Sequence, residues 1–487
     1  MHLLSSKQQS SSIEVHTEDY VPSRVLEIEI GQPLPSLTAT DEKTGRHYQR
    51  AMCLIRLHSI PLGVIEFELD TNPMHADAYA QHIWYTLEVQ INEHLRRDGL
   101  PSVSGLDATG LSCPCAPRCI EEREQFLVYA PFVSVIIPTH NRPEQIKRCL
   151  QSLLALHYPQ YEIIVVDNAP STSETADFIQ QAYNDVPQVH YLREDRPGTS
   201  WARNCGIMAA RGEILAFIDD DEFADPYWLV ELVKGFSLSE DVSCVTGLVL
   251  PLELETPAQF WFEEYGGYGK GFSRRIFDMK KNRPKIPLYP YTIGLFGTGG
   301  SMAFRAAFLR SSGGFDPALG GVNPALFAED TSMFFQVVIR GHKLLYEPAS
   351  VVYHLHHRDY LHLRKQIYNY GAGLTACLMK SVLENPRILF DLISKVPYGF
   401  FFTFSARSPR NSKKSPFYPK ELTRLELKGM LIGPIAYMRS LWALRLTRKS
   451  AAGLAQPNAL WPLSFLKRAC AGQGAQSSTR GKGNVTQ

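Results

Sequence analysis

The stretch "GEILAFIDDDEF" covers residues 212–223 and changes character at its centre. Its apolar run ends in Asp219, Asp220 and Asp221, with Glu222 directly behind them. An apolar run without alternating polar residues predicts a strand that is buried on both faces. In an extended segment, Asp219 and Asp221 point to the same side. Two carboxylates there favour a hard divalent cation, Mg²⁺ or Mn²⁺, and a solvated acidic turn is the alternative.

Similar apolar strands alternate with helical segments around this stretch. The strands are "VSVIIP", "EIIVVDN", "QVHYLRE" and "EILAFIDDD", and the helical segments are "PEQIKRCLQSLLAL" and "SWARNCGIMAARG". This alternation predicts an α/β fold, with a mainly parallel sheet and helices on both faces. Ligands bind beyond the carboxyl ends of such strands. Asp167 ends one strand and the acids at 219–221 end another, so we expect them at one edge of the sheet.

The composition of the chain sets outer limits on its function. The 487 residues carry a net charge of +1, with 44% apolar and 20% charged residues, which is ordinary for a globular protein. The charge gives no argument for nucleic acid as a partner. Nine cysteines without a disulfide spacing, and a start that does not read as a signal peptide, predict reduced thiols and a cytoplasmic location. No apolar run reaches the ~18 residues that a membrane span requires.

Changes in composition divide the chain into five predicted parts. They are a disordered tail over 1–24, a small α/β domain with a linker over 25–130, the α/β domain over 131–375, a basic helical extension over 376–450 and a flexible tail over 451–487. In the small domain, two strands flank a turn signal at Pro61-Leu62-Gly63. A helix follows, with Tyr79, Ile83, Leu87 and Ile91 on one face.

Several motifs occur in an order that resembles family-2 glycosyltransferases of GT-A fold. They are "VSVIIPTHNRPEQIKRCLQSLL", "EIIVVDN", "ARNCGIMAARGEILAFIDDDEFADPYWL", "GGFDPALG" and "AEDTSMFFQVVIRGHKLLYEPASVVYHLHHR". The resemblance covers residues 133–375, roughly half of the chain. It implies an inverting, metal-dependent transfer of a sugar from a nucleotide-diphosphate sugar, with UDP favoured as the nucleotide. The implied acceptor is a glycan or a lipid-linked glycan, in polysaccharide or cell-envelope biosynthesis.

The resemblance also implies roles for individual residues. The implied contacts to the donor nucleotide are Pro138, Thr139, Asn141, Asp167, Arg203, Asn204, Asp219 and Asp220. Asp167 accepts the imide N–H of a uracil-like base, because a carboxylate is only an acceptor. Asp219 and Asp221 match the DxD element, which holds the divalent cation and the diphosphate.

Glu329 and Asp330 match the acidic pair that supplies the general base in this family, with Asp330 favoured. They precede a helical stretch, "TSMFFQVVIRG", so they are expected at a helix N-terminus, where the dipole favours ionised carboxylates. A plain N-cap function is the alternative for Asp330.

Other features keep two interpretations each. The segment 297–301, "GTGGS", fits either a backbone nest for the donor or acceptor sugar, through Gly299 and Gly300, or a strand entry. Asp316 fits an acceptor contact or turn chemistry. Some GT-A enzymes take a further metal ligand from the region of "YHLHHR", so His354 and His356 are candidate ligands, with a structural role as the alternative.

Three close cysteines raise the question of a second metal. Cys113, Cys115 and Cys119 could hold Zn²⁺, but a structural site needs four ligands and the sequence shows no evident fourth. Loop thiols are therefore the default interpretation.

The C-terminal region is basic. Between residues 387 and 449 there are 13 lysines and arginines and three acids. An apolar stripe among these cations predicts peripheral contact with an anionic membrane, on its inner face. A helical extension that packs on the α/β domain is the alternative.

Two other functions remain open. A sugar nucleotidyltransferase also pairs carboxylates with a metal, but it needs a Gly- and Arg-rich loop where this chain has "PTHNRPEQ". A catalytically inactive glycan-binding scaffold would not need Asp219, Asp221 and Asp330. A processive synthase is disfavoured, because the QxxRW signature is missing.

Overall fold

The computed structural model describes residues 20–112, 115–321, 326–405, 407–412 and 414–451, with side chains up to residue 446. Most of the predicted N-terminal tail, nearly all of the predicted C-terminal tail, and Cys113 lie outside the described residues. The predicted division into five parts stays a prediction, but the described residues do form two separate sheets.

The N-terminal unit contains three strands and two helices. They are β1 (Ser23–Glu29), β2 (Arg50–Leu57), β3 (Ile60–Glu68), α1 (Ala76–Arg97) and α2 (Arg118–Val128). The sheet order is β1-β2-β3, with β1 and β2 parallel and β2 and β3 antiparallel. The predicted helix face is buried as expected: Tyr79, Ile83, Leu87 and Ile91 all lie in the core of this unit.

Two local predictions for this unit are wrong. The hairpin turns at His58-Ser59, with φ of 56° and 66°, and Pro61 lies inside β3. Two positive φ values match the mirror-image two-residue turns that fit the twist of a hairpin. The region around 100–130, expected as a linker, contains α2, which packs against the large domain.

The large domain begins at β4. Its elements are β4 (Val133–Thr139), α3 (Pro143–Leu154), β5 (Tyr161–Asn168), α4 (Glu174–Tyr183), β6 (Val189–Glu194), α5 (Thr199–Ala209), β7 (Ile214–Phe217), β8 (Glu222–Ala224), α6 (Trp228–Lys234), β9 (Val242–Pro251), α7 (Pro257–Tyr265), β10 (Arg275–Phe277), β11 (Met302–Arg305), α8 (Ala306–Ser312), α9 (Glu329–Ile339) and β12 (Lys343–His354). Three helices follow, α10 (Tyr360–Glu384), α11 (Ile388–Phe404) and α12 (Lys420–Ala451).

The predicted α/β class is confirmed, with more antiparallel pairing than expected. The nine-stranded sheet has the order β10-β12-β9-β11-β7-β4-β5-β6, with β8 paired to β12. The half formed by β6, β5, β4 and β7 is entirely parallel. In the other half, β11 lies antiparallel between β7 and β9, and β8 and β10 run antiparallel to β12.

The strands are apolar throughout because both faces of the sheet are covered. On one face, Ile136 and Phe217 pack into a core shared with α5, α8 and α9. On the other, Val135 and Ala216 pack into a core shared with α3, α4 and α6. Neighbouring residues of one strand therefore enter opposite cores, as the period of two requires.

The C-terminal helices form an arm on the large domain. Helices α10 and α12 lie backbone to backbone, since a Cβ on Gly371 or Gly429 would overlap backbone atoms of the partner helix. Helix α11 has no buried residue. Within the described residues, no helix is both long enough and apolar enough to cross a bilayer.

Buried ion pairs join the N-terminal unit to the large domain. Arg56 lies 2.9 Å from Asp225 and also contacts Glu27 and Tyr353. On α2, Nε of Arg123 donates to Glu231 of α6 at 2.7 Å, and its guanidinium stacks over Tyr227. Both side chains of this α2–α6 pair are almost fully buried.

We expect Glu231→Ala to destabilise the chain by about 3–5 kcal/mol, because it leaves the Arg123 charge buried without its carboxylate. The double variant Arg123→Met with Glu231→Leu removes both charges, and should recover most of the loss. Thermal unfolding of the three proteins checks this. A double variant that is less stable than Glu231→Ala would contradict it.

Candidate functional site

The acids at 219–221 lie in a tight turn between β7 and β8. Strand β7 ends at Phe217, and the amide of Glu222 donates to the carbonyl oxygen of Asp219 at 3.2 Å. The expectation of an extended segment with Asp219 and Asp221 on one side is therefore wrong. The turn instead directs the three carboxylates to three different sets of partners.

Asp219 pairs with a buried arginine. Nη2 of Arg203, on α5, lies 2.9 Å from Asp219, and Nη1 of the same side chain lies 2.7 Å from Glu329 at the start of α9. Burial alone would lower the pKa of Arg203, but Asp219, Glu329 and Asp330 raise it above its usual value. This cation is therefore permanently charged and joins the acid turn to the first turn of α9.

Asp220 faces the end of β4. It accepts from the hydroxyl of Thr139 at 2.7 Å and from Nη1 of Arg142 at 3.0 Å. The same Arg142 nitrogen lies 3.4 Å from Asp221. Burial raises the pKa of Asp220, and Arg142 acts against that shift. Arg142 is half-exposed, so a ligand at this edge can contact it.

Asp221 faces the end of β12. Its Oδ1 lies 3.6 Å from Nε2 of His354. Burial, followed by repulsion from Asp220 and Asp219, raises the pKa of Asp221 to about 7. Burial and the neighbouring His356 lower the pKa of His354, so this imidazole is neutral, as a metal ligand must be.

This donor set fits a divalent cation. Two ligands with bonds of about 2.1 Å to one cation lie roughly 3.0–3.6 Å apart, which matches the separation of Asp221 and His354. The structure does not bring His356 to the acids. Its Nδ1 lies 2.7 Å from Nδ1 of His354, and its Nε2 lies 2.8 Å from Glu263. Of the two candidate histidines, His354 alone faces the acid turn, and His356 orients it.

The acidic pair opens α9, as expected. Ala328 is the N-cap, so Asp330 is not the capping residue. Glu329 binds Arg203 through Oε1, and its buried Oε2 has no hydrogen-bond partner among the described residues. Asp330 accepts from the amide of Thr331 at 2.6 Å.

Burial outweighs the helix N-terminus at both acids. It raises the pKa of Glu329 to about 7, with Arg203 opposing and Asp330 adding to the shift. Burial also raises the pKa of Asp330, against the effect of Arg203. At both acids, burial therefore acts against the ionised form that the helix dipole favours.

The segment 297–301 is a turn that leads into β11 and packs on acids from two elements. A Cβ on Gly299 would lie 2.8 Å from Oδ2 of Asp330, and a Cβ on Gly300 would overlap Glu222. The glycines are needed for this close approach, whether or not a sugar also binds here.

The nucleotide residues implied by the family lie at the ends of β4 and β5. Thr139, which follows Pro138, pairs with Asp167 across the two parallel strands. Asp167 is fully buried; its Oδ2 accepts from Tyr191 at 3.1 Å, and its Oδ1 has no hydrogen-bond partner among the described residues. Burial raises the pKa of Asp167, and Tyr191 opposes the shift. Asn141, with φ of 52°, binds Ser171.

Two implied ligand contacts are engaged elsewhere. The Asn204 amide exchanges two hydrogen bonds of 2.8 Å with the backbone of Phe315, so it holds the "GGFDP" loop. Asp316 accepts from the Ala318 amide and from the hydroxyl of Tyr437, and it lies 3.5 Å from Lys380. The chain itself therefore holds both side chains, and the contacts of Asn204 with a nucleotide and of Asp316 with an acceptor stay predictions.

Sequence reasoning missed several residues of the site. Arg142 lies in the "PTHNRPEQ" segment, which follows the apolar strand "VSVIIP". A cation at the carboxyl end of a strand, at the edge where the acids were expected, was a usable signal. Tyr191 and Glu263 had none, because they reach the site only through tertiary contacts.

Comparison with known proteins finds a family match within the large domain. Residues 134–310 match the model of Glycosyl transferase family 2. This part of the large domain is similar to the family-2 glycosyltransferases.

Its relatives include glycosyltransferase AglE of Haloferax volcanii, 40% identical over 111 residues, or 22% of this chain and 36% of the relative. The probable glycosyltransferase YdaM of Bacillus subtilis is 26% identical over 296 residues, or 56% of this chain and 62% of the relative. The chain thus spans less than two thirds of either relative. The mannosyltransferase PcManGT of Pyrobaculum calidifontis, solved with GDP-Man and Mn²⁺, aligns over 72% of this chain and 86% of its own, with 18% identity and a TM-score of 0.39.

The raised pKa of Glu329 predicts a pH dependence of stability. The folded chain binds this proton between about pH 4.5 and about pH 7, where the unfolded chain has released it. Its contribution is therefore full below pH 4.5 and lost as the pH rises through 7. In EDTA, the free energy of unfolding of the parent should fall between pH 4.5 and 7. The fall in Glu329→Gln should be smaller by about 1–3 kcal/mol. Thermal unfolding from pH 4.5 to 8 measures this, with the exposed Glu124→Gln as the matched control. Parallel curves for Glu329→Gln and the parent would contradict it.

Proposed function

We propose that the chain is an inverting glycosyltransferase that moves a sugar from a nucleotide-diphosphate sugar to a hydroxyl of a glycan or lipid-linked acceptor. The observation that supports this proposal is the Arg203 bridge, which joins the acid turn to the first turn of α9. Transfer in a single displacement requires the donor and the general base to lie side by side in one site.

The nucleotide end of the proposed site is formed by β4 and β5. The buried Oδ1 of Asp167 has no hydrogen-bond partner among the described residues, and an unpartnered buried oxygen is costly. The imide N–H of uracil would satisfy it, and adenine offers no such donor next to a carbonyl. This supports a donor whose base carries an N–H next to a carbonyl, as uracil and guanine do, and UDP is the nucleotide that we propose. Arg142, half-exposed beside Asp220 and Asp221, is placed to bind the diphosphate.

Asp221 and His354 are the residues that would hold a Mn²⁺ or Mg²⁺ ion at the diphosphate. Such an ion supplies neutralisation of the negative charge on the leaving group. Asp219 contributes less to this site than the DxD pattern implied, because its carboxylate binds Arg203.

Asp330 is the proposed general base. The acceptor hydroxyl gives its proton to the Asp330 carboxylate while its oxygen attacks C1 of the donor sugar. The bond between C1 and the diphosphate oxygen breaks, and the configuration at C1 inverts. A raised pKa brings Asp330 closer to neutral pH, where a general base works best. Glu329 is fixed by Arg203 and holds the first turn of α9 in place.

The test begins with thermal shift of the full chain against a panel of nucleotide-diphosphate sugars, with and without Mn²⁺. A donor at 100 times its dissociation constant stabilises by about 2.7 kcal/mol. With the donor found, we expect Asp330→Asn to keep its Mn²⁺-dependent shift, and to lose a factor of about 10²–10⁴ in the rate at which the sugar is released to acceptor or water. Asp221→Asn should lose the Mn²⁺-dependent part of the shift.

The exposed Asp185→Asn serves as the matched control and should match the parent in both measurements. Sugar release by Asp330→Asn at the parental rate would refute the general base. Donor binding without any sugar release by the parent would favour a binding scaffold, and release of pyrophosphate from a nucleoside triphosphate would favour a nucleotidyltransferase.

We further propose that the C-terminal arm contacts an anionic membrane surface, where lipid-linked acceptors are found. Helix α11 exposes three phenylalanines by 59–76% of their surface; they are Phe390, Phe400 and Phe404. Leu431 and Trp442 of α12 are also largely exposed. Lysines and arginines outnumber acids 13 to three between residues 387 and 449. Exposed apolar side chains among cations are the features of an interfacial helix.

Cosedimentation with vesicles tests this contact. The parent should bind vesicles that contain phosphatidylglycerol, and bind pure phosphatidylcholine weakly. Changing the three α11 phenylalanines to serine removes about 1.5–3 kcal/mol of apolar burial each, so binding should fall more than about tenfold. Tyr85→Ser and Tyr129→Ser, exposed aromatic residues of the N-terminal unit, are the controls. Equal binding of the triple variant, or no binding of the parent, would exclude this surface.

A further inference from the structure

Four potential metal ligands meet in the N-terminal unit, away from the elements that carry the sugar-transfer site. They come from the β2–β3 turn, the last turn of α1, the residue that follows α1 and the first turn of α2. We name this group the hairpin cluster; its members are His58, His94, Asp98 and Cys119.

The ligand atoms converge on one point. All four lie within 4.8 Å of one another. Oδ2 of Asp98 lies 2.9 Å from Nδ1 of His58, 3.2 Å from Nε2 of His94 and 3.0 Å from Sγ of Cys119. The two imidazole nitrogens are 3.0 Å apart.

These separations are those of a compact coordination shell. Tetrahedral Zn²⁺ with bonds of about 2.0–2.3 Å has ligand atoms roughly 3.3–3.7 Å apart. The four separations of 2.9–3.2 Å lie a few tenths of an ångström below this range. Two imidazoles, one carboxylate and one thiol form a four-ligand set of the types that Zn²⁺ prefers. The thiol favours Zn²⁺ over Mg²⁺ or Mn²⁺, which separates this site from the acid turn.

A network of hydrogen bonds without a metal accounts for the cluster less well than a bound cation does. Three side chains converge on a single carboxylate oxygen, while two imidazole nitrogens also face each other at hydrogen-bond distance. If the two nitrogens share one proton in a hydrogen bond with each other, that proton is not available for donation to Asp98. A cation at the centre satisfies all four groups at once.

The surroundings hold the ligands in place. Oε1 and Oε2 of Glu29 accept from the amides of His58 and Ser59, at 3.0 and 2.8 Å. Both of these turn residues adopt positive φ, as the two-residue hairpin turn requires. The amide of Cys119 donates to Oδ1 of Asp98 at 3.1 Å, which turns Oδ2 towards the other ligands. Supporting hydrogen bonds of this kind are typical of metal sites.

The site is closed. The side chains of His58, His94 and Asp98 are only 5–9% exposed. Four protein ligands leave no open position for a substrate, which is the arrangement of structural rather than catalytic zinc.

We propose that the hairpin cluster binds one Zn²⁺, which fastens α2 to the β2–β3 hairpin and to α1. Helix α2 in turn is fixed to α6 through Arg123 and Glu231. The zinc therefore connects the N-terminal unit to the glycosyltransferase domain. Of the two described cysteines in the three-cysteine segment, Cys119 belongs to the cluster. Cys115 is exposed and does not belong to it.

The test is the zinc content of the full chain, purified from medium that contains zinc and dialysed against EDTA to remove weakly held cations. We expect about one Zn²⁺ per chain by elemental mass spectrometry. Cys119→Ser and His94→Gln should each lower this content roughly tenfold or more. The controls Cys115→Ser and His82→Gln, which change exposed residues of the same types, should keep it.

Cobalt substitution covers the case in which a ligand variant does not fold. Co²⁺ bound to the parent should give the intense visible bands of a tetrahedral site and a thiolate-to-metal charge-transfer band. A folded parent that contains less than about a tenth of a zinc per chain, and shows neither feature with Co²⁺, would overturn the proposal. Zinc that persists in both ligand variants would also overturn it. Asp221→Asn should retain the zinc, so a failure of the sugar-transfer proposal is distinguishable from a failure of this one.

Discussion

The guanidinium of Arg203 holds together acids that reach the site from distant parts of the chain. Asp219 follows β7, and Glu329 and Asp330 open α9. Burial disfavours the ionised forms of Glu329 and Asp330, and the nearby charge of Asp219 adds repulsion. A permanently charged, buried cation between them offsets both effects, because an ion pair in a low-dielectric interior is strong when its hydrogen bonds are formed. The first turn of α9, and therefore the position of the proposed general base, depends on this bridge.

The same principle explains how three consecutive acids can follow a buried strand. The chain turns sharply after β7. Asp219 pairs with Arg203, Asp220 accepts from Thr139 and Arg142, and Asp221 lies near both Arg142 and His354. Two of the three acids are satisfied by the protein itself. Asp221 retains a pKa of about 7 and a neutral imidazole opposite, so it is the carboxylate that gains most from a bound cation.

The N-terminal unit and the C-terminal arm each contact the large domain through polar side chains. Buried ion pairs of Arg56 and Arg123 fix the N-terminal unit to the large domain. The hairpin cluster includes Cys119, which lies in the first turn of the helix that carries Arg123. The arm reaches the site through Tyr437 and Lys380, which hold Asp316. A membrane or an acceptor that contacts the arm therefore has a direct structural path to the "GGFDP" loop.

The sequence determined the elements whose signals are local. Continuous apolar strands predicted a sheet that is covered on both faces. Apolar residues at four-residue steps predicted the buried face of α1, and acids at strand ends predicted the edge of the sheet where the site lies. Tertiary structure decided everything that depends on pairing between distant residues. The antiparallel insertion of β11, the Arg203 bridge and the separation of His354 from His356 leave no local pattern. The hairpin cluster is a further case, because its ligands at 58, 94, 98 and 119 are separated by whole elements and form a site only after the hairpin and two helices have packed.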